Sequence, residues 1–236
     1  MTLGMIKYHL LVLLREPANL IFGLGLPFLN LFIIAGQADG NANMINYFLP
    51  IAIVITALVL CFMDSALSHA YARQVKFLRR VKMTPVKSKN YIITGIISRL
   101  SVLLLFTATL ITVSNLFFDV SLDGKNWLLI GSMLILVFAM FYFIAMFIAN
   151  ALKGAKNSQN LLYIVFFTMI FLINLPTDTL PGIIQTIALN SPLVFAGNLL
   201  SAAWLGNNLF YGPYFITTIL LTIIFGFLSL KFFKHE

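Results

Sequence analysis

The sequence predicts an all-α polytopic membrane protein, because it is too apolar and too poor in charge to fold in water. Of its 236 residues, 61% are hydrophobic and 9% are charged, whereas soluble domains carry about 25% charged residues. The apolar residues form continuous runs, not the alternating pattern of a transmembrane barrel. In lipid, such a run satisfies its own backbone hydrogen bonds only as a helix. We therefore expect a bundle of membrane-spanning helices.

Six apolar stretches are long enough to cross a bilayer, whose hydrocarbon core of about 30 Å requires about 20 helical residues. They are residues 18–36, 47–68, 91–118, 127–149, 160–175 and 209–230. The fifth stretch is the shortest and could begin a few residues earlier. We find no second soluble region and no convincing repeat, so residues 1–236 are predicted to form one transmembrane domain.

The Lys and Arg residues lie mostly at the ends of the apolar runs, which predicts an orientation. Thirteen of the 15 fall on one side of the six-span layout, and Lys125 lies in a loop on the other side. The thirteen are Lys7, Arg15, Arg73, Lys76, Arg79, Arg80, Lys82, Lys87, Lys89, Lys153, Lys156, Lys231 and Lys234. Because basic loops stay in the cytoplasm, both termini are predicted to be cytoplasmic in the plasma membrane. The same placement argues against nucleic acid as a partner for the net charge of +8.

Residues 176–208 are apolar but interrupted by prolines and glycines, which leaves two interpretations. A seventh span would place Lys231 and Lys234 outside the cell and leave an uncharged cytoplasmic loop before the last span. The charge bias disfavours that arrangement. We therefore predict two short re-entrant helices, near 182–189 and 193–203, that dip into the outer leaflet without crossing it.

Two charged residues, Asp64 and Arg99, fall within predicted spans. Asp64 would lie about 9 Å from the inner end of the second span, and Arg99 about 12 Å into the third. An isolated charge at this depth costs several kcal/mol, so the two are expected to form an ion pair. The pair could be a proton or substrate site, or a structural pair that fixes the register of the two spans, and we favour the structural interpretation. The three histidines are far apart in sequence, so no metal site is predicted.

The segment 71–91 between the second and third spans contains seven basic residues and no acidic one. Phe77 and Val81 share one face of a predicted short helix. Thr84-Pro85 then ends that helix, because the residue before a proline is disfavoured in the helical conformation. The segment could rest on anionic lipid headgroups, or it could be a rigid element that docks a soluble partner.

Three stretches of the sequence carry a more specific resemblance. The first is FLRRVKMTPVKSKNYIITGIISRL, a basic helix followed by a Thr-Pro pair, a short polar turn and a span that contains a glycine. The second is LLREPANLIFGLGLPFLNLFI, in which Arg15-Glu16-Pro17 precede a first span with a central proline. The third is TLPGIIQTIALNSPLVFAGNLL. Together they resemble the membrane subunits of ATP-binding-cassette (ABC) transporters of the type-2 exporter family, in which the third stretch is a pair of outer re-entrant helices.

The resemblance implies a role for the basic segment and for its neighbours. Residues 75–83, within a cytoplasmic segment 70–90, would form a coupling helix seated in a groove of a separate ATPase subunit. The implied contact residues are Arg73, Lys76, Phe77, Arg79, Arg80, Val81, Lys82, Thr84 and Pro85. Lys153 and Lys156 would make a second, smaller contact, and residues 1–17 would form an interfacial helix that leads into the first span.

The sequence departs from the family pattern just before the basic helix. Many members have an acid–Arg pair and a Gly-Thr there, whereas this chain has Arg73-Gln74 and Val75-Lys76. An acidic contact to the ATPase would therefore be absent or supplied from another part of the chain.

The chain lacks the GxxxxGK[ST] loop that cradles nucleotide phosphates. It is therefore predicted not to be an enzyme and to bind no cofactor, with ATP and Mg²⁺ used by a partner. The resemblance implies two ATPase subunits and a second permease chain, identical or different, surrounded by membrane lipids. We expect export by alternating access of a substrate such as a drug, an amphipathic peptide or a lipid-like molecule. The alternative is an ion-coupled transporter or channel, which requires ionisable residues near the membrane midplane.

Overall fold

The computed structural model describes residues 11, 21–37, 41–75, 88–152, 154–173, 181–206 and 212–232, and within these ranges the chain is mainly helical and contains no strand. The α-helices are α1 (Leu26–Gln37), α2 (Ala42–Val59), α3 (Leu67–Gln74), α4 (Ser88–Phe118), α5 (Trp127–Ala151), α6 (Ala155–Ile173), α7 (Gly182–Leu189), α8 (Pro192–Leu205) and α9 (Pro213–Lys231). Two π-helical segments, Ile21–Gly25 and Leu60–Ala66, precede α1 and join α2 to α3.

The central element of the fold is one continuous helix, Ala42–Gln74, made of α2, the π-helical segment and α3. We call it the central helix. Its 33 residues span about 50 Å at about 1.5 Å per residue, which exceeds the hydrocarbon thickness of a bilayer. The side chain of Asn41 begins it by accepting a hydrogen bond from the backbone N–H of Asn43, as N-cap residues do.

The core of the protein surrounds the central helix. Residues 49–62 are buried with the single exception of Ile51. The α2 part packs against α1, α4, α5 and α8, and the π-helical segment packs against α5 and α6. By contrast, α4, α6 and α9 expose large apolar side chains on their outer faces, including Leu105, Phe167 and Phe227. These helices are therefore apolar on the face that packs against the core and also on the outer face. A helix that is apolar all round is typical of a membrane span.

Five helices in the described ranges are long and apolar enough to cross a membrane: Ala42–Gln74, Ile93–Phe118, Trp127–Ala151, Lys156–Ile173 and Pro213–Lys231. They correspond to the second through sixth predicted spans, so the prediction of a polytopic all-α membrane protein is confirmed at this level. The fifth span begins earlier than residue 160, as its short apolar run suggested. The sixth begins at Pro213, in agreement with the preference of proline for the first helical turn.

The predicted first span, residues 18–36, is described only from Ile21. The apolar helix Ile21–Gly36 is shorter than the other candidate spans, so its crossing of the membrane stays a prediction. The predicted interfacial helix, residues 1–17, lies outside the described residues apart from Leu11, which is helical.

The interrupted region before the last span contains two helices, α7 and α8, that are bent relative to each other by 53°. The first has the bounds that the sequence predicted, 182–189, and the second, predicted at 193–203, extends one residue earlier and two residues further. The Ser191 hydroxyl accepts a hydrogen bond from the backbone N–H of Val194, and Pro192 occupies the first turn of α8. These are start signals for a new helix, so the break is specified locally. A helix pair bent in this way is a broken span or a re-entrant loop.

Gly23 allows the π-helical segment before α1 to lie directly against α4. A Cβ atom at this position would be 2.7 Å from Cε2 of Phe106, whose side chain is only 1% exposed. We expect Gly23→Ala to destabilise the protein by about 1–3 kcal/mol through overpacking and to lower its melting temperature in detergent by several degrees. Gly131→Ala is the matched control, because nothing lies within 4 Å of its added Cβ. Equal melting temperatures for the two variants would contradict the close contact.

Candidate functional site

A buried ion pair joins the central helix to α4. Nε of Arg99 donates to Oδ2 of Asp64 at 2.5 Å, and the two side chains are 16% and 7% exposed. Asp64 belongs to the π-helical segment Leu60–Ala66, a rare geometry that is often found at functional sites. A further bond runs from Nη1 of Arg99 to the carbonyl oxygen of Gly95. The guanidinium therefore satisfies the carboxylate and a backbone oxygen together.

Further polar contacts join the C-terminal part of the central helix to the C-terminal end of α5. Nε2 of His69 lies 3.1 Å from Oδ1 of Asn150, and an amide oxygen can only accept, so Nε2 carries the proton. One turn further on, Nη1 of Arg73 donates to the carbonyl oxygen of Ala149 at 2.5 Å. The last carbonyls of a helix have no partner within it, and a cation is favourable at that end. We refer to Asp64, His69, Arg73, Arg99 and Asn150 as the Asp64 cluster.

A second cluster lies at the other end of the central helix and is built around Trp204. Its side chain is 1% exposed, and its Nε1–H donates to Oδ1 of Asn46 at 2.6 Å. Lys125 donates to the carbonyl oxygen of Trp204 at 2.9 Å, and its Nζ lies 4.7 Å from the centre of the Trp204 ring. Trp127 meets Trp204 edge to face at 5.9 Å between ring centroids. We refer to these four residues as the Trp204 cluster.

The Trp204 cluster joins three separate parts of the chain: the start of α2, the end of α8 and the loop before α5. Gly206 ends α8 with a left-handed φ of 75°, a conformation that favours glycine. Lys125 supplies a donor and a positive charge to the carbonyl end of α8, as Arg73 does for α5. Partial burial lowers the pKa of Lys125 from its usual value.

A groove of about 360 Å³, mostly apolar but lined in part by the polar Asn30, opens between α1, α2 and α6. Its walls include Leu26, Leu29 and Ile33 of α1, Ile55 of α2 and Ile170 of α6. α1 and α6 also expose further large apolar side chains, among them Phe32 and Phe171. Both helices therefore carry exposed apolar surface in addition to the groove.

The structure describes some of the residues that the sequence singled out. Asp64 and Arg99 are in contact, and Arg73 lies at the end of α3, where it bonds within the chain. Lys156 is exposed in the first turn of α6. Outside the described residues lie Arg15, Glu16, Pro17, Lys76, Phe77, Arg79, Arg80, Val81, Lys82, Thr84, Pro85 and Lys153. Their predicted roles stay predictions.

Other contacts were not predicted from the sequence. Trp204 and Asn46 are 158 positions apart, and His69 and Asn150 are 81 positions apart, so no local pattern connects them. A partial signal was present, because the only two tryptophans of the chain both belong to the Trp204 cluster. Within the described ranges, no group of three or more His, Cys, Asp or Glu side chains could hold a metal ion.

The fold and its buried polar contacts define a multi-pass helical membrane protein. A family model described as ABC-2 type transporter matches residues 2–205 of the chain. The chain therefore belongs to the ABC-2 type transporter family, and it is an ABC-type permease subunit. Comparison with curated proteins gives no match.

Family membership carries general expectations about the assembly. Membrane components of this family are generally non-catalytic, and a separate ATPase hydrolyses the ATP. The family also implies an ABC ATPase partner and a dimeric permease.

Asp64→Ala should reduce the stability of the protein more than Asp64→Asn does. Alanine leaves the Arg99 guanidinium buried without its carboxylate, which costs about 3–5 kcal/mol, whereas asparagine keeps an oxygen that can accept the same hydrogen bond. The measurement is the amount of folded protein in the membrane together with its melting temperature in detergent. Combining Asp64→Ala with Arg99→Leu removes both charges and should recover most of the loss. Equal and mild effects of the two single substitutions would count against a structural ion pair.

Proposed function

We propose that this chain is the membrane-spanning subunit of an exporter that is driven by two copies of a separate cytoplasmic ABC ATPase. The observation that carries the proposal is the continuity of the central helix. Its buried part leads without a break to Gln74, and the basic segment that would dock the ATPase begins there. A movement of that segment would therefore reach the core of the permease directly.

The two predicted ATPase contacts follow two helices that are joined near their ends. The first lies around residues 75–83, immediately after the central helix, and the second lies at the turn between α5 and α6. The hydrogen bond from Arg73 to Ala149 joins the ends of the two helices that lead into these contacts. This supports a single docking surface in which Phe77 and Val81 fill a groove and Arg79 and Arg80 pair with acidic residues. Lys153 and Lys156 would extend that surface.

A second permease chain would pack against the apolar face formed by α1 and α6. Both helices expose large apolar side chains, and the mostly apolar groove lies between α1, α2 and α6. Two such faces would enclose an apolar path between the subunits, which suits a drug, an amphipathic peptide or a lipid-like substrate. The central helix contributes Ile55 to the groove, so its movement would open and close that path in alternating access.

Removing the docking residues should release the ATPase. In protein purified from its native membrane, we expect a soluble ATPase to co-purify with the wild-type chain. The triple substitution of Phe77, Arg79 and Arg80 by Ala should abolish this co-purification, because it removes an apolar anchor and two cations. Lys231→Ala is the control, since it removes a cation at the same predicted side away from the docking segment. An ATPase that stays bound to the triple variant with unchanged turnover would refute the docking site.

The predicted orientation can be tested by labelling from one side of the membrane. Cys61 is the single cysteine of the chain and is buried, so introduced cysteines can be read against a low background. In intact cells, a membrane-impermeant maleimide should label the Asp123→Cys variant and leave Lys82→Cys unlabelled until the membrane is permeabilised, because we place residue 82 in the cytoplasm. The reverse pattern would invert the topology and remove the basis for a cytoplasmic ATPase contact.

A further inference from the structure

We propose that the Trp204 cluster is a latch that holds the outer end of α8 on the central helix and that opens during the ATP-driven cycle. The inference rests on the proposed function, since it uses the predicted orientation and the movement of the docking segment. It assigns Trp204, Asn46 and Lys125 as positioning residues, which act through the helices they join and not through contact with substrate.

The contacts of Trp204 are more specific than packing of an apolar side chain requires. Its indole N–H, its ring and its backbone carbonyl each have a partner, and these partners come from two other segments of the chain. Trp204 is buried, whereas Asn46 and Lys125 are both only partly buried. Because the two partners are near the surface, water can replace their bonds when the helices separate. A contact of this kind can break and re-form within a cycle.

The central helix provides the mechanical connection. Asn46 and Arg73 lie on the same continuous helix, 27 residues apart, or about 40 Å at about 1.5 Å per residue. At one end, Arg73 bonds to α5 beside the proposed docking surface, and at the other end Asn46 bonds to Trp204. The bond from Nε1 to Oδ1 is 2.6 Å long, and N–H···O hydrogen bonds in proteins extend only to about 3.2 Å. A shift of the helix by a fraction of a turn would therefore release Trp204.

The competing explanation is that the cluster only anchors the chain at the membrane surface, where tryptophan and lysine are both common. An anchor of that kind would keep the same contacts throughout the cycle. The two explanations therefore differ in one observable, which is whether the surroundings of Trp204 change when the ATPase binds nucleotide.

The chain is suited to this measurement, because Trp127 and Trp204 are its only tryptophans. We would incorporate 5-fluorotryptophan into the permease alone, assemble it with the unlabelled ATPase, and record fluorine NMR spectra in nanodiscs. The Trp127→Phe variant leaves one signal, from Trp204. Without nucleotide, this signal should show no solvent isotope shift between H₂O and D₂O. With ATP, Mg²⁺ and vanadate, it should move and acquire such a shift.

Substitution of Asn46 gives an independent test of the same latch. Asn46→Leu removes the acceptor for Nε1, so the Trp204 signal without nucleotide should already resemble that of the nucleotide-bound wild type. Asn43→Leu is the matched control, because Asn43 is exposed on the same helix and should leave the signal unchanged. Even if Asn46→Leu failed to fold, the nucleotide comparison in Trp127→Phe would still decide the matter.

The outcomes separate the latch from the proposed function. A Trp204 signal that does not change while nucleotide is bound to the complex would overturn the latch and leave the exporter assignment intact. Failure of any ATPase to bind the chain would overturn the proposed function, and the latch with it.

Discussion

The pairing of Asp64 with Arg99 is the constraint on which the arrangement of the helices depends. A charge in an apolar surrounding is tolerated only beside a partner, and here the partner is on a different helix. The ion pair therefore fixes both the rotation of the central helix and its height against α4. Since the central helix is the element that α1, α5, α6 and α8 pack around, this register is passed on to the rest of the bundle.

Long cationic side chains complete helix ends at two places in the structure. Arg73 donates to the carbonyl of Ala149 near the end of α5, and Lys125 donates to the carbonyl of Trp204 near the end of α8. Both carbonyls belong to the last turn, where a helix offers no donor of its own. In each case the cation comes from a part of the chain that is distant in sequence. The hydrogen bond to the helix end therefore also connects that part of the chain to the helix.

Much of the fold followed from the sequence, because lipid imposes simple rules. The length of an apolar run determines whether it can span, and the second through sixth spans were predicted on that basis. Pro181, Ser191 and Pro192 act locally, so the α7–α8 break was predictable as well. The contacts of Trp204 and His69 were not, since they depend on how helices far apart in sequence come together. The π-helical segment around Asp64 was not predictable either, because the apolar sequence there is equally compatible with an α-helix.

Arg73 lies where the sequence departs from the family resemblance, and the structure gives it a partner within the chain. Many relatives place an acidic residue beside the arginine at this point, whereas Arg73 has no acidic neighbour in sequence. In the structure, its partner is the carbonyl oxygen of Ala149, at a helix end that carries about half a negative charge through the aligned peptide dipoles. Arg73 was predicted to contact the ATPase, and in the structure its bond to Ala149 ties the end of the central helix to the end of α5.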